Sequence, residues 1–218
     1  VLSRREMARA MVATGGVALV SGVALVAVAF GDLLEGRSVA LLVAGGFSMA
    51  AAVKYTLGRN AYGYHGLGDV FVFIFFGLVS VAGSYFAMSG TLPWVVLLPA
   101  ASVGLLSMGV LNMNNIRDME NDAACGKRTL PVRFGMAWAK RYEFVIVILA
   151  FALMTAYAAL HPAGWAGYVF WLSAPLFGLH LARVRKGEGR QLDGQLKFIS
   201  LSTLLLVALC GLGQSLGC

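Results

Sequence analysis

The apolar stretch VFVFIFFGLVSVAGSYFAM, residues 70–88, contains no charged residue. About 20 predominantly apolar residues are enough for an α-helix to cross the hydrocarbon core of a bilayer. Similar stretches recur along the 218-residue chain. The sequence therefore predicts an all-α fold, a polytopic transmembrane helical bundle with seven spans, at residues 10–30, 39–53, 70–88, 93–111, 144–160, 163–181 and 198–218.

The composition also indicates a membrane protein. Hydrophobic residues make up 59% of the chain, charged residues only 12%, and the mean hydropathy is +0.79, whereas soluble domains average about 25% charged residues. The regions between spans are too short for a second domain, so residues 1–218 are predicted to form a single transmembrane domain. The net charge of +7 is spread along the chain and forms no basic domain, which argues against a nucleic-acid partner.

The basic residues favour one orientation in the membrane. All but one of the 17 lysines and arginines lie before the first predicted span or in the polar regions 54–69, 112–143 and 182–197, which leaves Arg37 on the opposite side. Loops rich in Lys and Arg remain in the cytoplasm. The sequence thus predicts a multi-pass inner-membrane protein, surrounded by membrane lipid, whose functional site faces the cytoplasm.

The segment LNMNNIRDMENDAACGKRTLPVRFG, residues 111–135, carries several oxygen ligands directly after an apolar span. Asn114, Asp118 and Asp122, which we call the oxygen stripe, recur every four residues and would lie within about 80° of one another on one helix face. Two carboxylates and an amide oxygen suit Mg²⁺, which usually also binds substrate phosphates. An ordinary solvated helix face is the alternative, but carboxylates at the mouth of a membrane helix usually face a polar cavity.

Cations follow the oxygen stripe. Lys127 and Arg133 are predicted to bind diphosphate oxygens, because charge-assisted hydrogen bonds from Lys and Arg are the usual means of holding phosphate. The alternative is that these side chains only determine topology. Arg117 is expected instead to pair with an acid on its own helix.

A second polar segment, KYTLGRNAYGYHGLGD, residues 54–69, lies on the same predicted side of the membrane. Its glycines permit tight bends, its tyrosines supply rings and hydroxyls, and a carboxylate enters the following span. This pattern predicts a lid or pocket rim, with an interfacial aromatic belt as the alternative. The candidate residues are Lys54, Tyr55, Arg59, Tyr62 and Asp69.

Small residues within the spans are expected to permit close helix packing; they include Gly45, Gly46, Gly104 and Gly109. The aromatic run at residues 70–77 is expected to pack against lipid or neighbouring helices, since apolar side chains on membrane helices need no special explanation.

The motifs resemble those of a known family. NMNNIRDMENDAACGKRTLPVRFG, residues 112–135, is similar to the second aspartate-rich motif of UbiA-type intramembrane prenyltransferases, and it most resembles the subgroup that acts on 1,4-dihydroxy-2-naphthoate in menaquinone biosynthesis. Residues 54–77 resemble a cytoplasmic loop and the following helix of the same subgroup. Such enzymes have nine transmembrane helices and two aspartate-rich motifs. Because LSRREM, residues 2–7, resembles sequence just downstream of the first motif, two helices and that motif are expected to precede this chain.

The resemblance implies a function. Mg²⁺ bound by Asp118, Asp122 and Asn114 would neutralise a polyprenyl diphosphate, while Lys127 and Arg133 hold its oxygens. The prenyl group would be transferred to dihydroxynaphthoate with loss of CO₂, giving demethylmenaquinone. The residues of the predicted lid would lie on the acceptor side. Without a first motif, the 218 residues alone are expected to have little activity.

Three alternatives remain open from the sequence. A UbiA-type prenyltransferase can use another acceptor, because pocket shape decides the acceptor. A transporter would need a polar site at the membrane midplane, whereas the acids and amides of this chain concentrate at one end of the spans. A non-catalytic membrane remnant is the third alternative.

Overall fold

The computed structural model describes residues 3–56, 61–161 and 163–217. Within them the chain forms helices joined by turns, and no β-strand occurs in these ranges. Short 3₁₀ helices lie at Tyr62–His65, Trp94–Val96, Gly164–Ser173 and Gly189–Leu192, and a π-helix at Phe73–Ala82. The α-helices are α1 Arg4–Phe30, α2 Gly36–Thr56, α3 Gly68–Val72, α4 Gly83–Ser89, α5 Leu97–Arg117, α6 Met119–Ala124, α7 Leu130–Phe134, α8 Met136–Leu160, α9 Ala174–Lys186 and α10 Asp193–Leu216.

Six helices in the described part of the chain are long and apolar enough to cross a membrane. They agree with six of the seven predicted spans, although most extend further at their ends because the sequence-based bounds stopped at the first polar residue. The helix that contains residues 70–88 runs continuously through α3, the π-helix and α4. The six helices are Arg5–Phe30, Gly36–Tyr55, Gly68–Ser89, Trp94–Arg117, Met136–Leu160 and Asp193–Leu216.

The seventh predicted span, residues 163–181, differs from the prediction. The segment is helical, as the 3₁₀ helix Gly164–Ser173 followed directly by α9, but it is not among the six helices that are long and apolar enough to cross a membrane. Pro175 lies in the first turn of α9, where its missing N–H costs no hydrogen bond, whereas within a continuous helix it would remove one. The segment therefore changes from a 3₁₀ to an α-helix at a point where a proline is tolerated.

The central helix α5 packs closely against the π-helix and α8. Gly77 and Gly104 bring two backbones together, because a Cβ built on Gly77 would lie 2.5 Å from the Cα of Gly104. Close packing at Gly104 and Gly109 is as predicted, but Gly45 and Gly46 have open space around their missing side chains. The core lies between α5, α8, α9, α10 and the 3₁₀ helix Gly164–Ser173. Its fully buried apolar side chains include Leu106, Met113, Ile146, Phe170, Phe177, Ile199 and Leu206.

Helices α1 and α2 are largely exposed. In the most apolar stretch of each helix, only 6% of the residues are buried. The exposed side chains include Val12, Val20 and Phe47. In water this surface would be costly, but in a bilayer lipid tails solvate it as well as a protein core does. The exposure pattern therefore fits a membrane protein.

Candidate functional site

The oxygen stripe lies where α5 ends. The sequence predicted one continuous helix face, but α5 stops at Arg117 and Asp118 adopts a non-helical conformation (φ −92°, ψ 5°) before α6 begins. The four-residue spacing survives this break, because the N–H of Asp118 donates to the carbonyl of Asn114 at 3.0 Å and that of Asp122 to the carbonyl of Asp118 at 2.7 Å. The three residues therefore remain successive turns of a kinked helical path.

Arg117 joins the first two members of the stripe. Its Nη2 donates to Oδ1 of Asn114 at 2.8 Å and to Oδ2 of Asp118 at 2.9 Å, and its Nε donates to Oδ1 of Asp118 at 2.8 Å. The expected pairing of Arg117 with a nearby acid is thus confirmed. These hydrogen bonds hold the pKa of the Asp118 carboxyl below its usual range, so the carboxylate is ionised at neutral pH.

Lys127 joins the third member. Its Nζ lies 3.2 Å from Oδ2 and 3.3 Å from Oδ1 of Asp122, whose side chain is buried. Gly126 makes this contact possible, since its φ of +72° reverses the chain after α6 and is a conformation that glycine adopts without strain. The backbone N–H of Lys127 also donates to the carbonyl of Asp122 at 2.8 Å.

The stripe suits a divalent cation of the magnesium type. Its donors are carboxylate and amide oxygens, and Mg²⁺ commonly takes one or two carboxylates together with water and substrate phosphates. Among the described residues, no group of three or more His, Cys, Asp and Glu side chains gathers into a complete metal centre. The available donors fit an ion that is completed by phosphate oxygens.

The two polar segments predicted from the sequence meet in the structure. The backbone N–H of Arg128 donates to the carbonyl of Tyr64 at 2.9 Å. A Cβ built on Gly66 would lie 2.8 Å from the carbonyl oxygen of Arg128 and 3.5 Å from Nη1 of Arg133. The tyrosine-containing turn therefore lies directly on the loop of Arg128 and on Arg133 of α7, one of the predicted diphosphate cations.

Tyr55 and Tyr62 fix this turn to α2. The hydroxyl of Tyr62 donates to the carbonyl of Ala51 at 2.6 Å, and its ring stacks on Phe71 with centroids 3.7 Å apart. Burial, with a smaller effect from Tyr55, raises the pKa of Tyr62. The ring of Tyr55 lies under Gly63 and Gly68. Among the remaining lid candidates, Lys54 is exposed, and Arg59 lies outside the described residues.

Asp69 is buried at the start of α3, where the hydroxyl of Tyr142 on α8 donates to its Oδ1 at 3.0 Å. The ring of Tyr142 stacks on Trp138, with centroids 4.8 Å apart. Tyr142 was not singled out from the sequence, because nothing local marks a tyrosine on α8 as the partner of a residue so far away along the chain. This pair connects the predicted lid segment to α8.

A second cluster missed by the sequence analysis lies inside the bundle. Glu143 and His180 are fully buried and hydrogen-bonded to each other at 3.0 Å, with Asn112 and Gln195 as further partners. The predicted spans 144–160 and 198–218 begin just after Glu143 and Gln195, because a polar residue was taken as the boundary of a span. The signal that could have revealed the cluster was the position of these polar residues: Asn112, Glu143 and Gln195 lie just beyond predicted spans, and His180 lies within one.

An apolar cavity of about 680 Å³ lies between α1, α2 and α4. Its walls include Val26, Leu41, Met49, Val79 and Phe86. Leu92 and Leu97, near the start of α5, also line it, so the cavity extends toward the end of the bundle opposite the oxygen stripe.

Comparison with known proteins links this arrangement to one family. The UbiA prenyltransferase family model matches residues 2–212. The 1,4-dihydroxy-2-naphthoate octaprenyltransferase of Escherichia coli (strain K12) is 41% identical over 176 residues, which make up 81% of this chain and 56% of that protein. No solved structure matches the chain.

Two further relatives carry the same name. The Haemophilus influenzae protein is 34% identical over 212 residues, or 95% of this chain and 68% of that protein. The Mycobacterium tuberculosis protein is 37% identical over 170 residues, or 76% of this chain and 56% of that protein. The alignments with these three curated relatives thus cover between 56% and 68% of their length.

Proposed function

Because this chain belongs to the UbiA prenyltransferase family, we propose that its protein transfers a polyprenyl group from a polyprenyl diphosphate to an aromatic acceptor in the membrane. The family match confirms the resemblance drawn from residues 112–135. The contact of the oxygen stripe with Arg117 and Lys127 at one end of the bundle is the observation that carries the proposal.

The acceptor we propose is 1,4-dihydroxy-2-naphthoate, after the names of these relatives. The C–O bond between the allylic carbon and the diphosphate breaks, and a C–C bond forms to the electron-rich ring. The ring carboxylate leaves as CO₂ and pyrophosphate is released. The immediate product is the quinol form of demethylmenaquinone, since the reaction consumes no oxidant.

The residues of the stripe have distinct tasks in this proposal. Asn114, Asp118 and Asp122 would hold Mg²⁺ through their oxygens. When bound, the ion supplies positive charge that stabilises the departing diphosphate. Lys127 and Arg133 bind diphosphate oxygens directly, since electrostatic stabilisation matters most where negative charge develops in the transition state. Arg117 must release the stripe when the ion binds, because its guanidinium occupies the same oxygens.

The turn at residues 61–69 is proposed to close the acceptor side. It rests on the loop of Arg128 and Arg133, so movement of either segment affects the other. We assign to Asp69, which is hydrogen-bonded to Tyr142, a role in binding the aromatic acceptor. Lys54, Tyr55, Arg59 and Tyr62 complete the proposed rim.

The apolar cavity is suited to the polyprenyl tail. Its walls are almost wholly hydrocarbon, so we propose that it receives part of the tail while the diphosphate lies at the stripe. The asymmetry of Lys and Arg supports an inner-membrane location with the oxygen stripe on the cytoplasmic side.

Transfer of a radiolabelled polyprenyl group to dihydroxynaphthoate tests the proposal, with protein expressed from the full reading frame in membranes. We expect Mg²⁺-dependent product and a loss of about 10²–10³-fold in turnover for Asp118→Asn, comparable to removing an electrostatic group from a transition-state site. Glu120→Gln is the matched control, because Glu120 is an exposed acid on α6, two residues after Asp118 and outside the stripe. Unchanged turnover in Asp118→Asn would contradict the proposal.

A further inference from the structure

A layer of buried polar side chains crosses the bundle about two helical turns inside the end that carries Asp118. Each of four helices supplies one member, and none is more than 6% exposed. We call this set the polar layer; its members are Asn112 of α5, Glu143 of α8, His180 of α9 and Gln195 of α10.

Glu143 is the centre of the polar layer. Its Oε2 accepts a hydrogen bond of 2.8 Å from Nδ2 of Asn112, and its Oε1 lies 3.0 Å from Nε2 of His180. Nδ1 of His180 lies 3.1 Å from Oε1 of Gln195. Asn112 Nδ2 also donates to the carbonyl of Ala139 at 3.0 Å, which ties α5 to the α8 backbone as well as to its side chain.

The layer is electrically neutral. Because Gln195 presents an amide oxygen to Nδ1 of His180, that nitrogen carries a proton. The hydrogen bond between Nε2 and Glu143 then holds one further proton, on whichever of the two atoms it resides. Either arrangement gives no net charge, so the pair is tolerated inside a membrane bundle, where an unpaired charge is very costly.

The backbone of α5 lies directly on the Glu143 carboxyl. A Cβ built on Gly109 would be 3.0 Å from Oε1 of Glu143 and 3.0 Å from Cδ1 of Ile199. Gly109 and Asn112 are three residues apart and so share one helix face. Two contacts on one face, a close backbone approach and a hydrogen bond, fix both the rotation and the height of α5 against α8 and α10.

Stability alone does not account for the layer. Oδ1 of Asn112 is buried without a hydrogen-bond partner among the described residues, and such an acceptor is destabilising. Replacing a buried polar pair by apolar side chains of similar volume is often neutral or stabilising. The polar residues at these positions therefore provide a specific geometry more than they provide stability.

We propose that Asn112, Glu143, His180 and Gln195 are positioning residues, which hold the end of α5 so that Asn114 and Asp118 present their oxygens to the metal–diphosphate group. This inference rests on the proposed function. A rotation of α5 by one residue turns every side chain by about 100°, which would remove Asn114 from the stripe. Glu143 and His180 act through α5 and do not touch the substrate.

Direct Mn²⁺ binding tests this role without relying on turnover. Protein expressed from the full reading frame is titrated with Mn²⁺ in the presence of inorganic pyrophosphate, free Mn²⁺ is measured by electron paramagnetic resonance, and thermal unfolding is recorded in the same detergent. The double variant Glu143→Leu/His180→Leu removes both buried partners together. We expect it to fold, with a lower unfolding temperature because Gln195 loses its hydrogen bond, and to bind Mn²⁺ about tenfold more weakly, as is typical when groups that orient metal ligands are lost.

Two further variants make the comparison specific. Glu143→Gln keeps an acceptor for Asn112 and offers an amide N–H to Nε2 of His180, so it should retain wild-type Mn²⁺ affinity. Ser102→Ala removes a different buried α5–α8 bond, the 2.8 Å contact of Ser102 with the carbonyl of Ala150. It lies ten residues before Asn112 on α5, and we expect it to lower the unfolding temperature without changing Mn²⁺ affinity.

Wild-type Mn²⁺ affinity in the folded double variant would overturn the positioning role. If that variant does not fold, Asn112→Ala provides the test, because it leaves the Glu143–His180 pair intact and removes only the hydrogen bonds from α5. Unchanged Mn²⁺ affinity in folded Asn112→Ala would likewise overturn the positioning role. Equal Mn²⁺ binding by wild type and Asp118→Asn would be a different result. It would refute the metal site of the proposed function itself.

Discussion

Arg117 provides a quantitative test of the oxygen stripe. In the structure its guanidinium makes three hydrogen bonds of 2.8–2.9 Å to Asn114 and Asp118. A divalent cation that binds these oxygens must displace it. Arg117→Met keeps most of the aliphatic stem and removes the competing charge, so we expect divalent-cation binding to become tighter.

The magnitude follows from the exposure of the pair. The side chains of Arg117 and Asp118 are 38% and 35% exposed, and partly exposed ion pairs contribute about 0.2–1 kcal/mol. Since about 1.4 kcal/mol corresponds to a factor of ten in affinity, loss of this competition should lower the dissociation constant for Mn²⁺ by up to about fivefold. Removal of a positive charge beside the ion also favours Mn²⁺ binding, and this electrostatic contribution should become smaller at high salt.

Mn²⁺ titration of the full-length protein measures this effect. Arg141→Met is the charge-matched control, because Arg141 is an exposed cation of α8 and its loss changes net charge by the same amount. We expect Arg117→Met to bind Mn²⁺ more tightly than Arg141→Met. Equal or weaker binding in Arg117→Met would refute the reasoning, since it would mean that the ion does not use the oxygens held by this guanidinium.

Two further predictions concern helix packing and the acceptor. Gly77→Ala should lower the free energy of unfolding by about 1–3 kcal/mol, because its Cβ would meet the α5 backbone at 2.5 Å. Thermal unfolding in detergent measures this, and Gly45→Ala, which has open space around it, should not destabilise the protein. Equal stability of the two variants would contradict the close helix contact. Tyr142→Phe should raise KM for the aromatic acceptor about fivefold, as loss of one hydrogen bond of about 1 kcal/mol predicts, without changing KM for the diphosphate. Tyr85→Phe, on α4, is the control. An unchanged KM for the acceptor in Tyr142→Phe would contradict the assignment of Asp69 to acceptor binding.

Local patterns predicted the features that depend on local chemistry. Long apolar runs predicted six of the membrane helices. The reason is that lipid offers the backbone no hydrogen-bond partners, and an α-helix satisfies its backbone groups within one segment. The repeat of oxygen ligands in residues 111–135 predicted the stripe and, through its resemblance to a known motif, the family. The predicted diphosphate cation Lys127 contacts Asp122, and the predicted diphosphate cation Arg133, on α7, lies beside Gly66 of the predicted lid.

The errors arose where geometry depends on more than periodicity. The kink at Asp118 cannot be read from the four-residue spacing, since that spacing is identical in a straight and in a kinked helix. The segment 163–181 has the apolar character of a span, yet it is divided into a 3₁₀ helix and α9. Polar residues near helix ends were taken as boundaries, although helices continue through Asn112 and Glu143.

The sequence by itself determined the membrane class, most of the helices and the order of the oxygen-bearing side chains in the stripe, because hydropathy and the order of side chains along a helix are local properties. Only the tertiary structure decided that Lys127 lies on Asp122, that the lid segment rests on the segment of Arg128 and Arg133, and that Asp69 is bonded to Tyr142. It also decided the polar layer, whose members come from four helices. Such contacts depend on how helices rotate and approach one another, which is settled by close packing at residues such as Gly109 and by the requirement that buried polar groups find partners.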